Sequence, residues 1–310
     1  MKIVFLDRAS IGEDIDMSGF ERFGECVFYN FSKPYEVADR VKDADIIVVN
    51  KAPINEETVG KASNLKLVCV TATGTNNLDK PFLEGKGIAW RNVAGYSTES
   101  VAQHTFALVL SLLEHIVYYD KYVKEDKYTN DKLFTHFAMH FNELSQKTWG
   151  IVGLGDIGKR VASLATAFGC KVIYYSTSGK NHNSDYEEVD FDTILSQSDI
   201  LSVHAPLTDD TLHLFDKSAF SKMKKTSIFV NVGRGPIVVE QDLRDALDNN
   251  VIAAAGIDVL DIEPMTEENP LRGYADSNKL IITPHIAWAA VEARQRLMNI
   301  IEGQIEEFLK

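Results

Sequence analysis

Positive charge is in deficit in this chain. Lys and Arg number 32 against 45 Asp and Glu, a net charge of −13. Phosphate neutralisation needs a basic surface, so no nucleic-acid partner is expected, and any anionic ligand must be met by local positive groups. Cysteine is scarce. Cys26, Cys69 and Cys170 form no Cys-x-x-Cys pair, and Cys26 and Cys69 lie in apolar strand-like runs. This argues against a disulfide framework and for buried, reduced thiols. No apolar run approaches the ~20 residues of a membrane span. The start, Met1-Lys2-Ile3-Val4-Phe5-Leu6-Asp7, turns acidic too soon for a signal peptide. A cytoplasmic protein with no membrane partner is the expectation. The 19 glycines and 8 prolines are scattered, so no low-complexity or collagen-like segment is indicated. His136 and His140 have metal-ligand spacing if the segment is helical, but no acidic–His motif accompanies them, so no metal site is expected.

At 310 residues the chain exceeds the size at which one core stops growing, so two domains are expected. Short apolar runs at Lys2–Leu6, Cys26–Tyr29, Ile46–Val49, Leu67–Val70 and Ile88–Trp90 alternate with stretches of helical composition such as Pro34–Val41 and Glu56–Ala62. From Thr148 a second series begins, with strands expected at 148–152, 171–175, 199–203, 227–232, 252–257 and 280–283 and helices at 156–168 and 241–247. Such alternation predicts parallel sheets with helices on their faces. A helix from about Glu99 to Asp120, almost wholly apolar in its middle, is expected to be buried between layers. The aromatic-rich stretch 120–147 (Tyr128, Phe134, Phe137, Met139, Phe141) reads as an interface arm, pointing to a homodimer. Trp288–Leu309 reads as a helix returning to the first domain. The expected division is therefore 1–97 plus 287–310 for one domain and 98–286 for the other, with a hinged cleft that excludes water on closing.

Ile151-Val152-Gly153-Leu154-Gly155-Asp156-Ile157-Gly158 carries Gly-x-Gly-x-x-Gly at 153, 155 and 158 between a strand-like and a helical run. In that setting the first glycine permits a tight turn, the second lets backbone approach a pyrophosphate, and the third lets helix and strand pack closely. The helix start offers free N–H groups to phosphate. Three further segments end strands with reactive groups. Asn231-Val232-Gly233-Arg234-Gly235-Pro236 presents an arginine suited to bidentate carboxylate binding. Gly256-Ile257-Asp258 is followed by Glu263-Pro264, and Thr283-Pro284-His285-Ile286-Ala287-Trp288 supplies a histidine. Ligands bind at the carboxyl ends of parallel strands, so all these segments should open on one edge. Together they suit hydride transfer from a nicotinamide to a 2-oxo acid. His285 would give the proton, a carboxylate on its other nitrogen (Glu263) would favour the charged imidazolium, and Arg234 would bind the substrate carboxylate and polarise the carbonyl.

At this point the chain resembles the D-isomer-specific 2-hydroxyacid dehydrogenases over essentially its full length. The resemblance rests on the glycine motif, on Val203-His204-Ala205-Pro206-Leu207-Thr208, on the Arg234 segment, on Asp258 to Pro264 and on Pro284-His285-Ile286. It implies two doubly wound Rossmann-like parallel-sheet domains, a flavodoxin-like substrate domain and a dinucleotide domain, in a homodimer. It implies Arg234, Glu263 and His285 as the catalytic set. Cofactor contacts are implied for Val101, Gly153, Gly155, Asp156, Ile157, Gly158, Ser176, Thr177, Ser178, His204, Ala205, Pro206, Thr211, Val232, Gly233, Arg234, Asp258, His285 and Ala287, with Asp258 near the nicotinamide. Thr71-Ala72-Thr73-Gly74-Thr75 is similar to the family's carboxylate-binding loop, implying substrate contacts through backbone N–H groups of Thr73 and Gly74. Asn50 and Trp288 are expected to shape the substrate pocket, with Arg234 and His285. Val49-Asn50-Lys51-Ala52-Pro53 and His285-Ile286-Ala287-Trp288 are most like the glycerate dehydrogenases, also called hydroxypyruvate reductases, so hydroxypyruvate or glyoxylate is the expected substrate.

One position departs from the NAD pattern. An acidic residue usually follows the glycines by about 20 residues to bond the ribose hydroxyls; here Ser176 takes that place, with Thr177, Ser178 and Lys180 beside it. NADP acceptance alongside NAD is therefore expected. Three other readings stand beside this one: a non-enzymatic dinucleotide-sensing corepressor, a D-lactate or phenyllactate type of dehydrogenase, and a formate or phosphite dehydrogenase. The formate enzymes pair the histidine with glutamine, so Glu263 speaks against that last case.

Overall fold

The computed structural model describes residues 1–274, 276 and 278–310, and the chain divides into two compact units, Met1–Ser97 with Ala289–Lys310 and Thr98–Trp288.

The first unit is built on five parallel strands: β1 (Lys2–Phe5), β2 (Glu25–Phe28), β3 (Ile46–Val49), β4 (Leu67–Val70) and β5 (Ala89–Arg91), in the order β2-β1-β3-β4-β5. That is the flavodoxin-like order, with its switch point between β1 and β3. Strands β3 and β4 are buried at every residue, as continuous apolar runs in a sheet covered on both faces must be. Helices α1 (Pro34–Val41), α2 (Glu56–Val59) and α3 (Lys80–Gly85) connect them; Val37, Val41, Val59 and Leu83 join Val4, Ile47, Val68 and Val70 in one apolar cluster.

The second unit carries seven parallel strands: β6 (Thr148–Val152), β7 (Lys171–Tyr175), β8 (Glu187–Glu188), β9 (Ile200–Val203), β10 (Ile228–Asn231), β11 (Ala254–Ile257) and β12 (Leu280–Ile282). Their order is β12-β11-β10-β9-β6-β7-β8, so the winding reverses between β6 and β9. Helices α4 (Thr98–Leu113) and α6 (Asp156–Ala167) cover one face, where Phe106 stacks on the fully buried Trp149 at 4.6 Å between centroids. Helices α7 (Phe191–Gln197), α8 (Lys217–Lys222) and α9 (Glu240–Asp248) cover the other around Phe215, Phe220 and Phe229.

The last helix, α10 (Val291–Phe308), lies in the first unit. It buries Leu297, Met298, Ile301 and Ile305, and the Arg294 guanidinium grips the Asp14 carboxylate with two bonds of 2.6 and 2.8 Å.

One local expectation is corrected. The helix expected from Glu99 to Asp120 breaks: α4 ends at Leu113, His115 takes a left-handed φ of 52°, and α5 (Ile116–Lys124) leaves at 59° to it. Among the described residues no single helix is long and apolar enough to cross a membrane. The stretch holding His136 and His140 is irregular, so the two do not share a helix face. His136 stacks on Tyr122 at 3.8 Å, and Tyr118 Oη lies 3.0 Å from its Nε2. In the same stretch Phe134 is 88% and Phe137 75% exposed.

The thiols are free; burial pushes the pKa of Cys69 up to about 12 and that of Cys170 up to about 11, while Cys26 is only half-buried.

Candidate active site

Every strand of the larger sheet runs the same way, so its carboxyl ends share one edge, and the loops leaving that edge hold the reactive residues. The edge divides into two parts.

The first part lies at the switch point. Loops after β6, β7 and β9 line one hollow through Gly153, Leu154, Gly155, Ser176, Thr177, Ser178, Asn181, His204 and Pro206. A Cβ on Gly158 would overlap the Gly153 carbonyl, so only glycine lets α6 start this close to the turn. A Cβ on Gly155, by contrast, would meet nothing within 4 Å. Packing does not demand a glycine at 155; close approach by a ligand would. Among the described residues, the backbone N–H groups of Leu154, Gly155, Asp156 and Ile157 have no protein acceptor.

Two polar atoms in this part are buried and unpartnered, Ser176 Oγ and His204 Nδ1. Trp149 Nε1 donates to Ser202 Oγ (2.9 Å), and Ser202 Oγ lies 3.0 Å from His204 Nε2. The serine hydrogen has only that nitrogen to satisfy, which leaves the proton of a neutral His204 on Nδ1. Burial pushes His204 down to about 3, so the ring stays neutral. Unmet buried polar atoms beside free helix-start amides fit the adenosine and phosphate groups of a dinucleotide. Thr211, buried, turns its hydroxyl to Pro206 O (2.8 Å) and shapes this loop.

The second part holds the ends of three adjacent strands, β10, β11 and β12. After β10, buried Asn231 folds the loop: its Oδ1 accepts from Gly233 N (3.0 Å) and its Nδ2 donates to Arg234 O (2.9 Å). Arg234 makes no ion pair among the described residues; its guanidinium donates to Gly233 O at 2.7 Å. The structural salt bridge that a loop arginine often serves is absent there. Gly235 packs so tightly that a Cβ would overlap the Leu260 carbonyl, which brings the Arg234 loop against the segment that carries Glu263.

After β11, Asp258 is 1% exposed. Its Oδ1 accepts from Thr283 Oγ1 (2.6 Å) and Ile286 N (2.9 Å), and its Oδ2 from Ala287 N (2.9 Å). Its carbonyl accepts from His285 N at 2.8 Å. His285 sits in the left-handed region at φ 55°, a sparsely populated conformation that surrounding structure must impose. His285 Nδ1 lies 2.7 Å from Glu263 Oε2, and Glu263 Oε1 accepts from Leu260 N at 3.1 Å. An ionised carboxylate can only accept, so Nδ1 carries a proton and Nε2 is the nitrogen left to exchange one. Glu240, whose carboxyl is raised by burial, holds the same loop through Asp261 N (3.0 Å) and Asn269 Nδ2 (2.7 Å). Val101, Ala287 and Trp288 pack in one apolar cluster next to this part, with Val232.

In the first unit, the loops after β1, β3 and β4 meet. Asp7 Oδ2 accepts from Asn50 N (2.9 Å), Lys51 N (3.0 Å) and Ala52 N (3.3 Å), and Asn50 Nδ2 donates to Thr71 O (3.2 Å). Thr73 is anchored through Oγ1 to Val93 O (2.9 Å). Among the described residues, the amides of Thr73 and Gly74 have no acceptor. Sequence pattern alone does not mark Asp7, Glu240 and Thr283 as organisers of these loops, because their partners lie in distant segments. Asn231 works within its own loop, and its place at the end of β10 is the hint it offers.

Residues 106–287 match the family model of the D-isomer specific 2-hydroxyacid dehydrogenase, NAD binding domain. The chain belongs to this family. It is 40% identical over 318 residues to a hydroxypyruvate reductase of Blautia hydrogenotrophica, spanning 100% of this chain and 97% of that one. It is 35% identical over 309 residues to a glycerate dehydrogenase of Methylorubrum extorquens, spanning 99% and 96%. Among solved structures, an acyclic imino acid reductase in complex with NADPH and D-Arg superposes with a TM-score of 0.86 at 29% identity, covering 100% of this chain and 97% of that one. The 2-hydroxyacid dehydrogenase is thus an oxidoreductase that uses NAD or NADP on the hydroxyl or oxo group of 2-hydroxy acids.

The open space at Gly155 supports a direct test. The backbone there (φ −78°) accepts any L residue, so Gly155→Val should lower stability by only about 1 kcal/mol. It should raise the dissociation constant for NADH by at least about tenfold, because the side chain fills the approach to the amides. Fluorescence titration checks this; unchanged affinity would place the dinucleotide elsewhere.

Proposed function

We propose that this enzyme reduces a short 2-oxo acid, hydroxypyruvate or glyoxylate, to the D-hydroxy acid, with His285, Glu263 and Arg234 as its catalytic set. The observation that carries this reading is the 2.7 Å contact from Glu263 to His285 Nδ1, on the same sheet edge as an arginine without a carboxylate partner among the described residues. The names of the relatives, hydroxypyruvate reductase and glycerate dehydrogenase, support the substrate class.

When bound, the nicotinamide supplies the hydride. Arg234 holds the substrate carboxylate and draws electron density from the oxo group. His285 Nε2 gives its proton to the oxygen that becomes the hydroxyl, and the Glu263 carboxylate stabilises the imidazolium before transfer. In the first unit, the unused amides of Thr73 and Gly74 suit a carboxylate, and Asn50 is the proposed specificity residue there; in the second unit that role falls to Trp288. For the cofactor, the Leu154–Ile157 amides hold the pyrophosphate. Asp258 acts on the nicotinamide end indirectly, since both of its carboxylate oxygens already serve protein donors.

Acceptance of NADP alongside NAD is supported by Ser176, whose Oγ is buried without a partner among the described residues, where an acidic residue would repel a 2′-phosphate. Homodimer formation through the 120–147 stretch is supported by its exposed Phe134 and Phe137. Three buried or half-buried free thiols agree with a reducing, cytoplasmic setting.

Three results check these proposals. His285→Ala should lower kcat by roughly 10²–10⁴ with little change in NADH affinity, and Arg234→Ala should raise KM for hydroxypyruvate as well as lower kcat; near wild-type turnover without His285 would show that another group is the acid. The kcat/KM values for NADPH and NADH should lie within about tenfold of each other, whereas a thousandfold NADH preference would refute NADP acceptance. In sedimentation, the wild type should be dimeric at micromolar concentration and a Phe134→Ser/Phe137→Ser variant monomeric; a monomeric wild type would refute the dimer.

A further inference from the structure

We infer that His104, on α4, is a positioning residue for the loop that carries His285; this rests on His285 acting as the acid–base group. His104 Nε2 lies 2.9 Å from Thr283 Oγ1 and 3.6 Å from Asp258 Oδ1. The Thr283 hydroxyl has one hydrogen and gives it to Asp258 Oδ1 at 2.6 Å. It can therefore only accept from His104, so Nε2 of His104 is a donor. The chain of donors runs His104 Nε2–H to Thr283 Oγ1–H to Asp258.

At Asp258 the chain meets the amides of Ile286 and Ala287, the two residues that follow His285. The amide of His285 itself is split between Asp258 O (2.8 Å) and Thr283 O (3.0 Å). Among the described residues, each backbone anchor of the left-handed turn at His285 thus passes through Asp258 or Thr283, and His104 is the side chain outside the loop that holds this pair. His104 is 19% exposed at its side chain, and its polar partners are Thr283 and Asp258. Its effect on turnover passes through geometry, and a small displacement of an acid–base group is worth up to about 10²-fold in rate.

The test uses the full-length enzyme with hydroxypyruvate and NADH. His104→Phe keeps the ring but removes the donor, and it should lower kcat by about 10- to 100-fold. NADH affinity should stay within about twofold, since the pyrophosphate amides are untouched. His104→Gln carries an N–H at comparable reach and should recover kcat to within about fivefold of wild type. Thr283→Val should reduce kcat like His104→Phe, and the double variant should be no worse than either single one, because both break one chain. A His104→Phe enzyme with wild-type kcat would overturn the proposal, as would a His104→Gln enzyme as slow as the Phe variant or additive losses in the double variant. His285→Ala, assayed in parallel, separates this failure from failure of the acid–base reading: that reading fails only if His285→Ala itself keeps turnover.

Discussion

The carboxylate of Asp258 is the constraint on which the reactive edge depends. A charge held at 1% exposure is tolerable only when its oxygens are met by donors. Here the donors are the Thr283 hydroxyl and the Ile286 and Ala287 amides. Satisfying that charge forces the chain after β12 to turn sharply, and the turn is what places His285 in its left-handed conformation. The strain of that conformation is repaid by four hydrogen bonds around it, so the imidazole stands where Glu263 can reach it.

The rest of the edge follows from strand direction. Because the second sheet is wholly parallel, each crossover returns the chain to the same side, and the loops after β6, β7, β9, β10, β11 and β12 open together. The reversal between β6 and β9 splits that edge. One part has free amides and unmet polar atoms suited to a phosphate-bearing ligand; the other has the arginine, carboxylate and imidazole. In the proposed mechanism, chemistry and cofactor hold fall to neighbouring loops of one sheet, where side chains can be placed to within fractions of an ångström.

Much of this was legible in the residues. The runs at 46–49, 67–70, 148–152 and 171–175 are strands with those same bounds, because continuous apolar stretches between polar residues have few other uses. The reactive segments at 231–236, 258–263 and 283–288 do end strands of one sheet. The break at His115 was not legible: apolar periodicity runs through it without glycine or proline, and histidine tolerates the left-handed region well enough to hide the turn. The helices α7 and α8 are too short for periodicity to show. Nor could local pattern reveal His104, which meets Thr283 across 179 residues of sequence. Asp258 was legible as a strand-end carboxylate, but not that protein donors occupy both its oxygens.

The central claim is that Glu263 fixes the tautomer of His285, with the proton held on Nδ1 and Nε2 left to exchange. Nitrogen chemical shifts of the ¹⁵N-labelled His285 ring, followed across pH in the wild type, test it most directly. The account predicts that Nδ1 stays protonated throughout and that only Nε2 gains and loses a proton. A neutral ring protonated on Nε2, with Nδ1 bare beside Glu263, would contradict it.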